Sequence, residues 1–334
     1  GLPVDDVRIN AISTIDAESY AAYANLNYDF TEQWSLSAGL RYSRDEKDLK
    51  YIQIADPLAQ AFGFLPLDIT DSISDGEWTP AISLSWRPHG DMLVYLSYNR
   101  GYKAGGFNNS LSSTASALSF EPETLDSIEL GVKSAWLDDR LRLNAALFHM
   151  DYQDKQESAF LTGVGFVQSN AGEATSDGFE MDVEFAATEI WRIYAAIGYA
   201  DARYDEYVVD DFTDYGGNTL VRAPEWTANL GAQAEWRFNA GLTGMFRLDY
   251  SWQDAFFTRA SNDPFFAADS QSLLNARLRL AAADERWAVT LWGRNLTDDD
   301  NINTKDGASN FFFPTYHYSL IAPRTYGVEL LLSF

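Results

Sequence analysis

Three stretches of the chain combine charge with aromatic rings in a way that suits ligand recognition. The first holds Arg100, Tyr102, Lys103, Phe107 and Asn108. Two cations beside two rings can grip an anion through charge-assisted hydrogen bonds and cation–π contact. Gly101, Gly105 and Gly106 in the same stretch offer a second reading, in which the glycines bend a strand end and Arg100 and Lys103 pair with nearby carboxylates. The second stretch runs through Asn310, Phe311, Phe312, Phe313, Tyr316, His317 and Tyr318. So many rings in one polar-flanked segment either contact a ligand, pack on one another, or sit at a membrane interface. The third collects Tyr204, Tyr207, Asp210, Asp211, Asp214 and Tyr215, and Asp298, Asp299 and Asp300 resemble it in acidity. Such carboxylates could recognise a cationic or metal-bearing ligand or hold Ca²⁺, or they could simply be solvated.

Enzymatic chemistry has little support. The three histidines, His89, His149 and His317, are far apart in the chain, and Cys is absent. That removes thiol catalysis and Cys-based zinc sites, and the histidines lack the two-His helical spacing of a zinc protease. No Gly-x-Ser-x-Gly elbow occurs. His149 with its neighbour Asp151 is the one pairing that a hydrolase could use, against the plainer reading of a wall histidine. No motif calls for a cofactor or a resident metal.

Composition narrows the partners. The chain has 334 residues and 49 Asp plus Glu against 24 Lys plus Arg, a net charge of -25, so it would repel a phosphate backbone and is not read as a nucleic-acid binder. Aromatic residues reach 15%, with 10 Trp, while hydrophobic residues as a class stay at 46%. No run approaches the roughly 18 apolar residues of a membrane-spanning helix, a test that a β-barrel escapes. Gly1 follows no Met and no apolar leader, so a signal peptide is expected upstream or already removed.

The elements that must position these residues are strands, because the apolar pattern repeats every second residue. Trp34, Leu36, Ala38, Leu40 and Tyr42 alternate with Ser35, Ser37, Gly39, Arg41 and Ser43, and Trp226 to Trp236 alternates in the same way. The pattern predicts about thirteen antiparallel strands near 13–29, 34–48, 76–87, 92–104, 124–136, 140–155, 165–186, 191–205, 223–237, 242–257, 270–282, 287–298 and 321–334. Tight turns at 31–33, 88–91, 137–139, 187–190, 239–241 and 283–285 alternate with long segments at 49–75, 105–123, 206–222 and 299–320. Short connections on one side and long ones on the other are the habit of outer-membrane barrels. Trp34, Trp86, Trp136, Trp191, Trp236 and Trp287 each stand near a tight turn on the apolar phase, as a membrane girdle would require. The alternative is six Trp in the inner faces of a soluble sandwich.

Several segments resemble the barrel domain of TonB-dependent outer-membrane receptors. Glu121-Pro122-Glu123-Thr124-Leu125-Asp126-Ser127-Ile128-Glu129-Leu130-Gly131-Val132-Lys133-Ser134, followed by Arg140 to Phe148, carries the strongest likeness. Ser97 to Asn108, Asn295-Leu296-Thr297-Asp298 and Pro323-Arg324-Thr325-Tyr326-Gly327-Val328-Glu329-Leu330 are also similar to that family. The resemblance implies an all-β, antiparallel transmembrane barrel of about 22 strands closed by an amino-terminal plug. Strand parity then makes residues 1–334 the carboxy-terminal portion of one barrel domain, with the plug and about nine strands outside it. The aromatic end at Phe334 resembles the signal read by the outer-membrane assembly machinery.

The expected function is TonB-dependent uptake of a scarce nutrient, with a ferric siderophore as the leading ligand, in the outer membrane of a Gram-negative bacterium. The TonB system would act through the plug, and lipid and lipopolysaccharide would surround the wall. The acidity suits an outer surface bridged to lipopolysaccharide by divalent cations. A passive porin-type channel, an outer-membrane hydrolase and a soluble adhesive sandwich are the alternatives.

Overall fold

The computed structural model describes residues 8–61, 64–109, 118–161, 165–210, 212–239, 241–309 and 314–333. Its frame is one antiparallel sheet of thirteen strands in chain order. We number them β1 (Ile9–Asp29), β2 (Trp34–Ala55), β3 (Leu67–His89), β4 (Met92–Lys103), β5 (Glu123–Trp136), β6 (Leu141–Gln153) and β7 (Ala174–Ala186). The rest are β8 (Trp191–Tyr204), β9 (Trp226–Asn239), β10 (Leu242–Gln253), β11 (Gln271–Ala282), β12 (Trp287–Arg294) and β13 (Thr325–Leu332). The thirteen strands and the tight turns match the expectation from the period-two pattern.

The register explains the two faces. Residues directly opposite one another in an antiparallel pair project to the same side. One such row runs Trp34, Trp86, Val94, Val132, Ala145, Met181 and Ile197 across seven strands. The row one residue away runs Ser35, Ser85, Tyr95, Gly131, Ala146, Glu180 and Gly198. The sheet thus has an apolar face and a mixed polar face, the arrangement of a barrel wall with lipid outside and water or protein within. Trp34, Trp86, Trp136, Trp191, Trp236 and Trp287 all fall on apolar-face positions near the tight turns, and Trp34 stacks on Trp86 with centroids 5.8 Å apart.

β1 pairs with β2 and β13 with β12, and no pair joins β1 to β13 among the described residues, so the sheet is open. Because thirteen is odd, the two edge strands run in the same direction. Antiparallel closure through further strands therefore needs an odd number of them.

Several boundaries differ from the expectation. β2 continues to Ala55 and β3 begins at Leu67, with Leu49 opposite Asp71 and Tyr51 opposite Ile69, where a loop over 49–75 was expected. In the extension the apolar residues change phase, with Leu49 and Tyr51 buried on the phase that lower down carries Ser35 and Ser37 and Lys50 exposed on the other, so the period-two signal is lost. The expected strand 165–186 is two elements: Gly165–Asn170 pairs with Gln156–Leu161 in a loop hairpin, and β7 starts at Ala174 after Gly172 at φ 79°. β12 and β13 are shorter than expected, at Arg294 and Thr325, because the connection between them builds its own hairpin from Ile302–Ser309 and Pro314–Leu320.

A single-layer wall leaves its residues half covered, so the buried clusters form where connections fold back onto strand ends. Leu49, Tyr51, Phe107 and Leu118 make one, and Ala171, Ala174, Ala202, Tyr204, Tyr207 and Leu220 another. A third joins Ala55, Ala59 and Phe64. In it Asp56 caps a short helix, Pro57–Ala61, by accepting the Ala59 N–H at 2.7 Å.

Candidate functional site

Six connections leave the edge of the sheet opposite the tight turns, and together they make the candidate ligand mouth. The first candidate group is largely engaged there. The Arg100 guanidinium lies 2.9 Å from Glu77 and 3.4 Å from Asp126. The Tyr102 hydroxyl is buried in the field of Asp75, Asp45 and Glu77. Phe107 is buried against Leu49, Tyr51 and Leu118. Asn108 is buried as well: its Nδ2 donates to the Gln168 carbonyl at 2.9 Å and its Oδ1 accepts the Gln168 N–H at 2.8 Å. These contacts fasten the connection after β4 to its neighbours. Lys103 alone of the five has an exposed side chain.

The acidic third group forms a second anchored region. Tyr204 and Tyr207 are buried with ring centroids 5.0 Å apart, and Tyr215 meets Tyr207 edge-on at 5.4 Å. Beside them Lys155 pairs with Glu157 at 3.0 Å. Asp214 accepts the Gly216 N–H at 2.8 Å, a turn-forming role, while Asp211 and the side chain of Asp210 lie outside the described residues. No group of carboxylates or histidines with metal-binding geometry occurs among the described residues.

Burial pushes the Tyr207 phenol up, and the Glu157 carboxylate adds to the shift. A phenol whose folded pKa exceeds its unfolded value stabilises the fold below the unfolded value, and that stabilisation disappears as pH rises through the folded one. Proteolytic nicking of the 205–225 connection should therefore accelerate above the ordinary phenol pKa of about 10, and Tyr207→Phe should flatten that rise. An unchanged pH profile in Tyr207→Phe would assign the opening to another group.

Around Tyr316 the structure gathers residues that the sequence pattern did not single out. Its ring lies 4.8 Å from that of Phe265 and 6.4 Å from that of Phe266, and those two meet edge-to-face at 5.1 Å. The Lys305 ammonium stands 3.7 Å from the Phe265 centroid and the Arg259 guanidinium 4.3 Å from that of Phe266. The two connections that carry them are locked together. Thr258 Oγ1 lies within hydrogen-bond distance of the carbonyls of Phe266 and Lys305, which share its one proton, and Asn301 Nδ2 donates to the Ser270 carbonyl at 2.6 Å. Asn295 fixes the base of the last connection: its Nδ2 donates to the carbonyls of Asp299 at 2.7 Å and Ala322 at 2.9 Å. Phe311 and Phe312 lie outside the described residues, as does Phe334.

The hydrolase pairing takes a different form in space, since His149 Nδ1 meets Asp177 at 2.7 Å across β6 and β7 rather than Asp151. On the polar face Arg247 holds Asp249 with contacts of 2.8 Å and lies over the Tyr194 ring at 5.0 Å. The His149–Asp177 contact joins neighbouring strands, Arg247 and Asp249 lie two residues apart on β10, and the Tyr194 ring reaches Arg247 from β8 across β9.

The family described as TonB dependent receptor-like, beta-barrel, matches residues 3–296. The chain belongs to this family of TonB-dependent receptor barrels. Among curated relatives, the probable TonB-dependent siderophore receptor PiuA of Acinetobacter baumannii is 26% identical over 237 residues, covering 67% of this chain and 30% of that protein. The pesticin receptor of Yersinia enterocolitica is 27% identical over 216 residues, covering 64% and 29%. Of solved structures, the ferric yersiniabactin uptake receptor FyuA from Yersinia pestis superposes with TM-score 0.80 at 22% identity, over 96% of this chain and 46% of that one. The siderophore receptor PiuA from Acinetobacter baumannii gives TM-score 0.72 at 20% identity, over 95% and 43%. This receptor barrel thus spans less than half the length of either of these two solved receptors.

Within the receptor barrel, the signals for Arg259, Phe265, Phe266 and Lys305 were faint but present. Phe265-Phe266 is a ring pair behind Pro264 in a connection, and Lys305 is a lone cation after the acidic run Asp298-Asp299-Asp300. Only the fold brings the two connections side by side.

Proposed function

We propose that this receptor barrel serves TonB-dependent uptake of a ferric siderophore across the outer membrane of a Gram-negative bacterium. The observation that carries the reading is the barrel wall with its long connections on one edge, in a chain whose relatives are named as siderophore receptors. The Trp row near the tight turns anchors the wall at the inner lipid interface, and the opposite edge presents the ligand mouth. The polar face, with Glu180, Asp182, Glu184, Arg247 and Asp249, lines the lumen and faces a plug through which the TonB system acts. Lys103 and Tyr316, with Phe311 and Phe312, belong to the capture surface. Arg100, Tyr102, Phe107 and Asn108 hold its framework. Phe334 serves as the assembly signal, and the acidic rim meets lipopolysaccharide.

The test is uptake of radiolabelled iron chelates by iron-limited cells with and without the gene. Uptake that needs both the gene and an energised inner membrane is the expected result. Entry that persists after the proton-motive force is collapsed would favour the passive channel instead.

A further inference from the structure

We propose that the apolar face over β5, β6 and β7 seats one acyl chain of a phospholipid from the leaflet on the tight-turn side. A groove of about 390 Å³ is cut into that face, lined by Leu130, Val132, Ala145, Leu147, Phe179 and Met181. Its shape follows from the register. Ala145 stands between Val132 and Met181 in one row, and Leu147 between Leu130 and Phe179 in the next. Leu130 and Leu147 are 49% and 59% exposed, so they rise as banks beside the short Ala145 side chain. Glu180 also borders the groove, but it belongs to the row of the polar face and its carboxylate projects to that side.

The place of the groove on the wall determines what fills it. The face around it meets the hydrocarbon of the bilayer, and an unfilled depression would forfeit dispersion contacts along its floor. A second copy of the chain would bring another outward-curved wall, which rests on the banks and leaves the floor uncovered. An acyl chain is thin enough to enter. The register also decides the leaflet. Two residues beyond Leu147 and Phe179, toward the long connections, the same face carries His149 and Asp177, whose side chains are 50% and 66% exposed and meet at 2.7 Å. A chain descending from that side would have to cover this polar pair with hydrocarbon, which is costly. Toward the tight turns the face carries Ser134, Leu143 and Val183, and the buried Ser134 hydroxyl is already spent on the Leu143 carbonyl at 3.1 Å. A chain rising from head groups beside Trp136 thus follows an apolar path and ends against Leu147 and Phe179, close to the midplane where phospholipid tails end. The inference needs only the wall and its orientation in the membrane. It holds whatever the receptor carries.

The experiment places the full-length receptor in phospholipid vesicles doped with a phosphatidylethanolamine that bears a diazirine at one chain end, and maps the photolabelled peptides. Label should concentrate on the peptides holding Leu130, Ala145, Leu147 and Phe179, about fivefold over apolar-face peptides of β9 and β10 at the same depth. Ala145→Phe, which fills the floor, should bring that excess down to the level of the rest of the wall. Leu147→Ala removes a bank and should at least halve it, which keeps the test intact if Ala145→Phe does not fold. Ala232→Phe, on the apolar face of β9, should leave it unchanged. Uniform labelling at equal depth would overturn the groove, as would an excess that survives both Ala145→Phe and Leu147→Ala. Label displaced by lipopolysaccharide added to the vesicles would overturn the choice of leaflet. A receptor that sediments as a dimer, and as a monomer once Ala145→Phe is made, would give the face to a second copy instead.

Discussion

Leu130→Arg should destabilise the receptor by about 2–4 kcal/mol, the cost of placing a guanidinium near the bilayer midplane on the lipid side of a barrel. Leu130 stands six residues up β5 from Trp136, on the apolar face, opposite Leu96 and Leu147, and is 49% exposed. At a rise of roughly 3.3 Å per residue and the usual strand tilt, that is about half the height of an apolar belt about 25 Å tall. The matched control is Ser97→Arg, one residue along β4 from Leu96 and therefore on the polar face, opposite Glu129. It should stay within about 0.5 kcal/mol of the parent. Urea titration of the full-length receptor folded into lipid vesicles reads both. Equal costs at the two sites would mean that the apolar face does not meet lipid.

The contrast between those two positions also shows which part of the fold was legible in the sequence. Alternation survives wherever one face meets lipid and the other water or protein, so the strands from Trp34 to Tyr42 or from Trp226 to Trp236 declare themselves. It fails where connections fold onto the strand ends. Beyond Asp48 in β2, Leu49 and Tyr51 are buried on the phase that lower down carries Ser35 and Ser37 while Lys50 is exposed on the phase of Leu36 and Leu40, so a continuing strand reads as a loop. The ligand mouth was less legible still. Arg100 looked like a ligand cation by type and spacing, but Glu77 and Asp126 reach it from β3 and β5. Conversely, Phe266 and Lys305 are brought together by contacts between two distant connections, among them those of Thr258, which no local pattern encodes.

A second large effect is expected at Gly231, and its cause is the partner strand rather than the backbone. A Cβ built on Gly231 would stand 2.0 Å from Cε2 of Tyr194, the residue directly opposite in register. The ring lies across the glycine and carries the Arg247 guanidinium on its face at 5.0 Å. Gly231→Val must therefore push Tyr194 out of place and break that contact, at about 2–3 kcal/mol. Gly90, in the turn between β3 and β4, is the control: an added Cβ meets nothing within 4 Å, so Gly90→Ala should be nearly neutral. Tyr95 over Gly131, Phe148 over Gly178 and Trp292 over Gly327 repeat the arrangement on the polar face. Each ring needs a residue without a side chain opposite it, so a slip of one position would set it against a Cβ. The rings thereby help fix the register of a wall that has only one layer. If the slot is what matters, Gly231→Val combined with Tyr194→Ala should cost less than the sum of the two single changes, by about 1 kcal/mol or more in the same urea titration. Strict additivity would place the cost of Gly231→Val in the β9 backbone instead.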